Sequence, residues 1–128
     1  EYVAIPAIRP DVAILHVQEA DGLGNGRIGG PKYEDAPMAK AARRVILTAE
    51  RIVETARFEA EPDRTDIPGF LVEAVVHAPG GAAPGSCAGH YDIDDAQVRA
   101  FQAVTGPEEL GRYLEQMAAY TAHEGVSR

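Results

Sequence analysis

The sequence predicts an α/β domain built on an open sheet, mixed or largely parallel, with helices flanking it. Apolar segments at 11–20, 44–50 and 70–78 have the length and composition of strands. Helix-start signals and turn chemistry separate them, and strands that alternate with helices build parallel or mixed sheets. A chain of 128 residues supports one core and is too short for two ordinary domains, so a single domain is expected over 1–128.

The first strand is "DVAILHVQEA", 11–20. Val12, Ala13, Ile14, Leu15 and Val17 form a nearly continuous apolar run, the pattern of a strand covered on both faces. A glycine-rich turn follows. Asp35 reads as a helix N-cap, with Pro37 tolerated in the first turn and the helix running to about Arg43. Met38, Ala41 and Ala42 should face inward, while Arg43 and Arg44 meet the negative end of the dipole.

"RVILTAE", 44–50, is the second buried strand. Residues 55–69 read mostly as connection, with room for a short strand. "FLVEAVVHA", 70–78, is the third. Phe70, Val72, Ala74 and Val76 line one face of it, and Leu71, Glu73, Val75 and His77 the other. A loop rich in Gly, Ala and Pro then runs through 79–89. Asp92, Asp94 and Asp95 crowd the start of a helix that ends near Val104. Thr105 and Glu108 have capping-box spacing. Leu110, Leu114, Met117, Ala118 and Thr121 make one face of a last helix, and the tail "HEGVSR" should fray.

Composition narrows the function. The net charge is −8, and binding a phosphate backbone needs Lys and Arg to neutralise it, so nucleic acid and anionic membranes are poor partners. No apolar run approaches a membrane span, and no basic start leads into an apolar segment. Cys87 is the single cysteine, which excludes an internal disulfide and fits a reducing, cytoplasmic compartment. The chain opens at Glu1 without an initiator Met, as a processed product or a piece of a longer chain would.

Gly24, Gly26 and Gly29 satisfy G-x-G-x-x-G, and Glu50 lies about twenty residues on, where a dinucleotide site would hold a ribose. Such a site needs a helix to start inside the motif, because its first amides hold the pyrophosphate. Here Gly30-Pro31 follows, and the next helix signal waits until Asp35. Asn25-Gly26 is also the commonest hairpin pair, so a turn is the better reading of 21–27. Calcium fails as well, since Leu23 occupies the place of an oxygen ligand.

Three stretches in order carry a more specific signal: "PDVAILHVQEADGLGNGRI", "MAKAARRVILTAERIV" and "IPGFLVEAVVHAPGGAAPGSCAGHYDID". The chain, from about Ile5 to Tyr120, resembles the C-terminal half of the A (alpha) subunit of family I CoA-transferases, which include glutaconate and 3-oxoacid CoA-transferases. The resemblance implies the CoA-transferase fold, with Asn25 in a turn. It implies an enzyme that moves CoA between an acyl-CoA and a small carboxylic acid, in a hetero-oligomer with a B-type partner. One glutamate of that partner would attack the thioester and become a glutamyl-CoA thioester. No metal or organic cofactor is implied, because CoA enters as substrate.

No residue of this chain reads as catalytic. Glu124, in "AHEGV", faintly echoes the family's glutamate motif but sits in the tail. Glu73 and His77 share a strand face, where a solvent-facing or paired role is favoured. Cys87 and His90 form C-x-x-H, too few ligands for zinc without a second Cys. His16, His77 and His123 have no spacing that brings them together. The best functional segment is the loop Pro79 to Tyr91, leaving the carboxyl end of a strand, where open α/β sheets take ligands. Gly80, Gly81, Pro84, Gly85 and Ser86 are its expected substrate-binding residues, and Gly89 adds a further glycine. Relatives often carry His where this chain has Ala83. Rival readings are a CoA-thioester hydrolase or ring-opening enzyme on the same fold, a non-catalytic assembly module, and a dinucleotide or sugar-phosphate domain.

Overall fold

In the computed structural model, which describes residues 2–124, with side chains through 118, the β-branched apolar runs form the long strands. β1 (Val12–Asp21) and β3 (Arg44–Val53) pair in parallel, with Leu15 opposite Leu47 and His16 opposite Thr48. β2 (Gly26–Arg27) turns back antiparallel on β1, and β4 (Ala74–His77) adds in parallel to β3. The sheet order is β2-β1-β3-β4, so it is mixed but mostly parallel, as expected. The chain divides into two compact units, Glu1–His77 and Ala78–Arg128.

In the first unit the core forms on alternate residues: Ala13, Leu15 and Val17 of β1 against Val45, Leu47 and Ala49 of β3. α1 (Asp35–Ala41) covers them, and Ile67, Leu71 and Val72 pack from the later connection. β1 is not covered on both faces. Val12 is 42% exposed and Ile14 65%, because alternation turns them away from α1. The alternation breaks at Glu19, Ala20 and Asp21, which are all buried.

α1 differs from expectation in its cap and its face. Glu34 precedes the helix without a side-chain cap, and the Asp35 carboxylate accepts instead from the Tyr33 N–H. Ala36, Ala39 and Ala42 face the core, while Met38 is exposed. Only small side chains let this short helix approach the sheet. The 55–69 stretch holds a helix, α2 (Thr55–Ala60), and a 3₁₀ turn, Pro62–Arg64, and no short strand. α2 buries Phe58, over whose ring the Arg27 guanidinium sits at 4.7 Å. The third strand begins late. Gly69–Leu71 is a 3₁₀ turn closed by Val72 N–H to Gly69 O, so Phe70 is exposed and only Ala74–His77 pairs.

In the second unit, α3 (Asp95–Gln102) starts where the acidic cluster predicted. Asp94 is its N-cap, accepting from the N–H groups of Ala96 and Gln97. α4 (Pro107–Glu124) begins at Pro107, so the carboxylate that reaches back to Thr105 is Glu109 and not Glu108. Tyr113 is the buried residue of α4 among the described side chains, tilted against Phe101 with centroids 5.4 Å apart, whereas Leu110 and Leu114 are exposed. Of the tail expected to fray, 123–128, the first two residues belong to α4, and 125–128 lie outside the described residues. The side chains of Thr121, His123 and Glu124 also lie outside them.

Candidate functional site

The glycine motif resolves into a turn organised by one buried acid. The Asp21 carboxylate accepts from Leu23 N–H (3.0 Å), Asn25 N–H (2.9 Å) and Asn25 Nδ2 (2.9 Å). Asn25 Oδ1 in turn accepts from Gly69 N–H. Gly24 takes φ +88°, and a Cβ there would lie 2.9 Å from Val72. The loop amides that a pyrophosphate would require are engaged within the chain: those of Leu23, Gly24 and Asn25 on Asp21, that of Gly26 on Ile67 O and that of Gly29 on Gln18 Oε1. Burial pushes the Asp21 carboxyl up, but hydrogen bonds from Asn25, Thr55 and Leu23 outweigh it and hold the group below its ordinary range. Asp21 and Asn25 are therefore the structural reason for an "AD-x-x-GN" sequence: one shapes the turn and the other fastens it to Gly69.

The loop from Ala78 to Tyr91, in the second unit, is a succession of turns. Gly81 N–H bonds Ala78 O, Ala83 N–H bonds Gly80 O, and Gly85 N–H bonds Ala82 O. The Tyr91 hydroxyl accepts from Ala82 N–H at 2.9 Å, and Tyr91 exchanges two backbone bonds with Cys87. Pro84 O accepts from Asp94 N–H, tying the loop to the start of α3. Of the expected binding residues, Gly81 and Ser86 are exposed, and Gly80, Pro84 and Gly85 are half-buried. Gly80 takes φ +73° with open space where a Cβ would stand. The amides of Gly81 and Gly85 are spent inside the loop, so its bare backbone surface is what a ligand would meet.

Glu73 is exposed and forms a two-pronged pair with Arg44, whose hydrogen bonds hold its carboxyl below the usual range. His77 is exposed at the end of β4. Cys87 is buried, and His90 N–H bonds its carbonyl. Glu50, the ribose candidate of the motif, is buried and accepts from His16 Nε2 at 2.7 Å, while His16 Nδ1 meets Thr48 Oγ1 at 2.8 Å. Sequence reasoning missed this polar line. Its only signal was a histidine and a glutamate inside otherwise apolar strands.

It also missed a charged cluster on the first unit. Glu19, buried on β1, accepts from Arg51 and Arg57, with Arg27 alongside at 3.7 Å. Burial pushes the Glu19 carboxyl up, but the hydrogen bond and charge of Arg57, with Arg51 and Arg27, bring it below its ordinary value.

A protein-family model described as coenzyme A transferase matches residues 1–78. The A-type subunit of glutaconate CoA-transferase from Acidaminococcus fermentans is 41% identical over 107 residues, 84% of this chain and 33% of that protein. The A-type subunit of 3-oxoadipate CoA-transferase from Pseudomonas knackmussii is 33% identical over 109 residues, 85% of this chain and 38% of that one. The cholesterol ring-cleaving hydrolase IpdA subunit of Mycobacterium tuberculosis is 35% identical over 97 residues, 73% of this chain and 33% of that one. The crystal structure of glutaconate coenzyme A-transferase from A. fermentans superimposes with a TM-score of 0.81 at 37% identity, covering 88% of this chain and 36% of that chain. The chain belongs to the coenzyme A transferase family, and these two transferase relatives are both A-type subunits. It spans about a third of the length of these relatives.

Proposed function

We propose that this chain is the C-terminal part of an A-type subunit that moves CoA between an acyl-CoA and a carboxylic acid. A B-type partner supplies the nucleophilic glutamate. The observation that carries the reading is the 41% identity to the A-type subunit of the glutaconate transferase over 84% of the chain. The carboxylates in and beside the sheet support it. Glu19 and Glu73 are held by arginines, Glu50 by His16, and Asp21 by amides. A carboxylate so engaged is a poor nucleophile, and attack on a thioester needs a free one. The role of the 79–91 loop is to present Gly80, Gly81, Pro84, Gly85 and Ser86 to the CoA-linked substrate.

The test uses the full A-type polypeptide that contains this sequence, assembled with its B-type partner. Incubation with acyl-CoA followed by borohydride should reduce a thioester on a partner glutamate and leave every carboxylate of 1–128 unmodified. Modification of Glu73 or Glu50 with retained turnover would overturn the assignment. The ring-cleaving relative motivates a second reading, hydrolysis or ring opening of a CoA-linked substrate. Release of free CoA without any acceptor acid, and without a trapped thioester, would favour it.

A further inference from the structure

The cluster around Glu19 gathers more positive charge than its own acids neutralise. Glu19 takes hydrogen bonds from Arg51 Nη2 at 2.6 Å and Arg57 Nε at 2.9 Å. Arg27 and Arg64 both reach Glu61, at 3.3 and 3.1 Å. Four guanidinium groups thus face two carboxylates, inside a chain whose net charge is −8. With Gln18 they line a cavity of about 170 Å³, in which Glu19 is the one carboxylate among the lining residues.

The arginines divide by role. Arg27 is buried, and four of its five donors are engaged: Nε on Arg64 O, and the terminal nitrogens on Glu61 and on the carbonyls of Arg57 and Glu61. It ties β2 to α2 and the turn beyond. Arg51, Arg57 and Arg64 each engage a carboxylate through a single nitrogen, and their side chains are 60%, 52% and 57% exposed. A guanidinium carries five donors in a fixed fork, so each of these three keeps donors for another acceptor.

We propose that this cavity binds a small dianionic oxyanion, a phosphate or a phosphomonoester. Three forks converging from β3, α2 and the following turn suit a tetrahedral anion with several oxygens. Glu19 already serves Arg51 and Arg57 as a planar two-oxygen acceptor, and Glu61 serves Arg64. Glu19 and Arg51 lie near the carboxyl ends of the parallel strands β1 and β3, the side on which open α/β sheets take ligands. The acidic remainder of the chain repels anions, so the surplus makes this a focused site. The site stands apart from the transferase reading and does not depend on it.

The test is calorimetric titration of the chain with inorganic phosphate and, separately, adenosine 3′-phosphate, at constant ionic strength set with chloride. Saturable binding is expected, weakened about tenfold or more in Arg51→Gln/Arg64→Gln through loss of charge-assisted bonds and unchanged in Arg43→Gln, a remote exposed arginine. Tighter binding of the ester than of phosphate assigns the site to a ligand-borne phosphate, and equal binding to the free ion. The Arg51→Lys/Arg64→Lys variant keeps the charge and loses the fork, and it should also bind more weakly. In the unaltered chain, the arginine Nε resonances of Arg51, Arg57 and Arg64 should shift on titration while that of Arg44 does not. No saturable binding through the millimolar range, or equal affinity in the Gln double variant, would overturn the proposal.

Discussion

A buried carboxylate that accepts three hydrogen bonds from its own turn is expensive to remove. Asp21→Ala leaves the N–H groups of Leu23 and Asn25 and the Asn25 amide without their acceptor. The expected loss is about 3 kcal/mol of unfolding free energy, measured by urea denaturation. Asp21 and Glu19 also give the fold a definite acid limb. Both carboxyls are held below their ordinary values of 3.8 and 4.5. The unfolded chain therefore takes up protons first as pH falls. The stability these two supply is complete above those ordinary values. It is lost as pH drops through them toward the lower native values. Melting temperatures measured down the acid range should show this decline, and Asp21→Asn should start lower but decline less. A pH-independent melting temperature through that range would contradict the assignment. Gly26 makes a steric counterpart. A Cβ there would stand 2.8 Å from Leu47 Cδ1 and 3.3 Å from Ile67. Gly26→Ala should cost roughly 1–3 kcal/mol by overpacking, with no change in nucleotide affinity.

At the scale of the element, the two central strands test which face of the sheet is closed. Leu15 is 5% exposed and Ile14 65%. Leu15→Ala should lose about 2–5 kcal/mol, and Ile14→Ala well under half of that, in the same denaturation assay. Equal losses would mean that both faces are covered. The cap of α3 offers a milder case: Asp94→Ala should cost about 1 kcal/mol and speed amide exchange at Ala96 and Gln97. What the sequence displayed of these elements depended on range. β1 and β3 were legible because their apolar, β-branched runs need no distant partner to be recognised. Asp94 was legible because a cap bonds the next two or three residues. The first half of the 70–78 strand was misread because Gly69 is fastened by Asn25, forty-four residues away. α2 was missed because its one buried side chain is held by Arg27, from another element. The His16–Glu50 pair and the arginine cluster follow from parallel register and from a side-chain meeting across β1, β3 and α2. Neither is written in local spacing. The turn read over 21–27 is present, closing by Asn25, with Gly26–Arg27 already paired back on β1, but Asp21 as its organiser was not foreseen.

For the whole molecule, the sharpest question is whether the 79–91 loop works through its backbone or through its cysteine. Hydrogen bonds within the loop, from Ala78 to Tyr91, already fix its path, and the Tyr91 hydroxyl supports it at Ala82. Gly81 is exposed and its backbone N–H is bonded to Ala78 O. Cys87 is buried as a small apolar residue, with its backbone paired to Tyr91. Under the transferase reading, Gly81→Val in the assembled two-subunit enzyme should lower activity by filling space that the substrate or partner occupies. The melting temperature of the A-type polypeptide should change little. Cys87→Ser should keep most of the activity. Steady-state rates and melting curves on the same preparations separate the two effects. A fully active Gly81→Val beside a folded, assembled but inactive Cys87→Ser would move the chemistry to the thiol. Loss of activity in Gly81→Val with an unchanged melting temperature would identify the loop as a surface that meets substrate or the partner subunit.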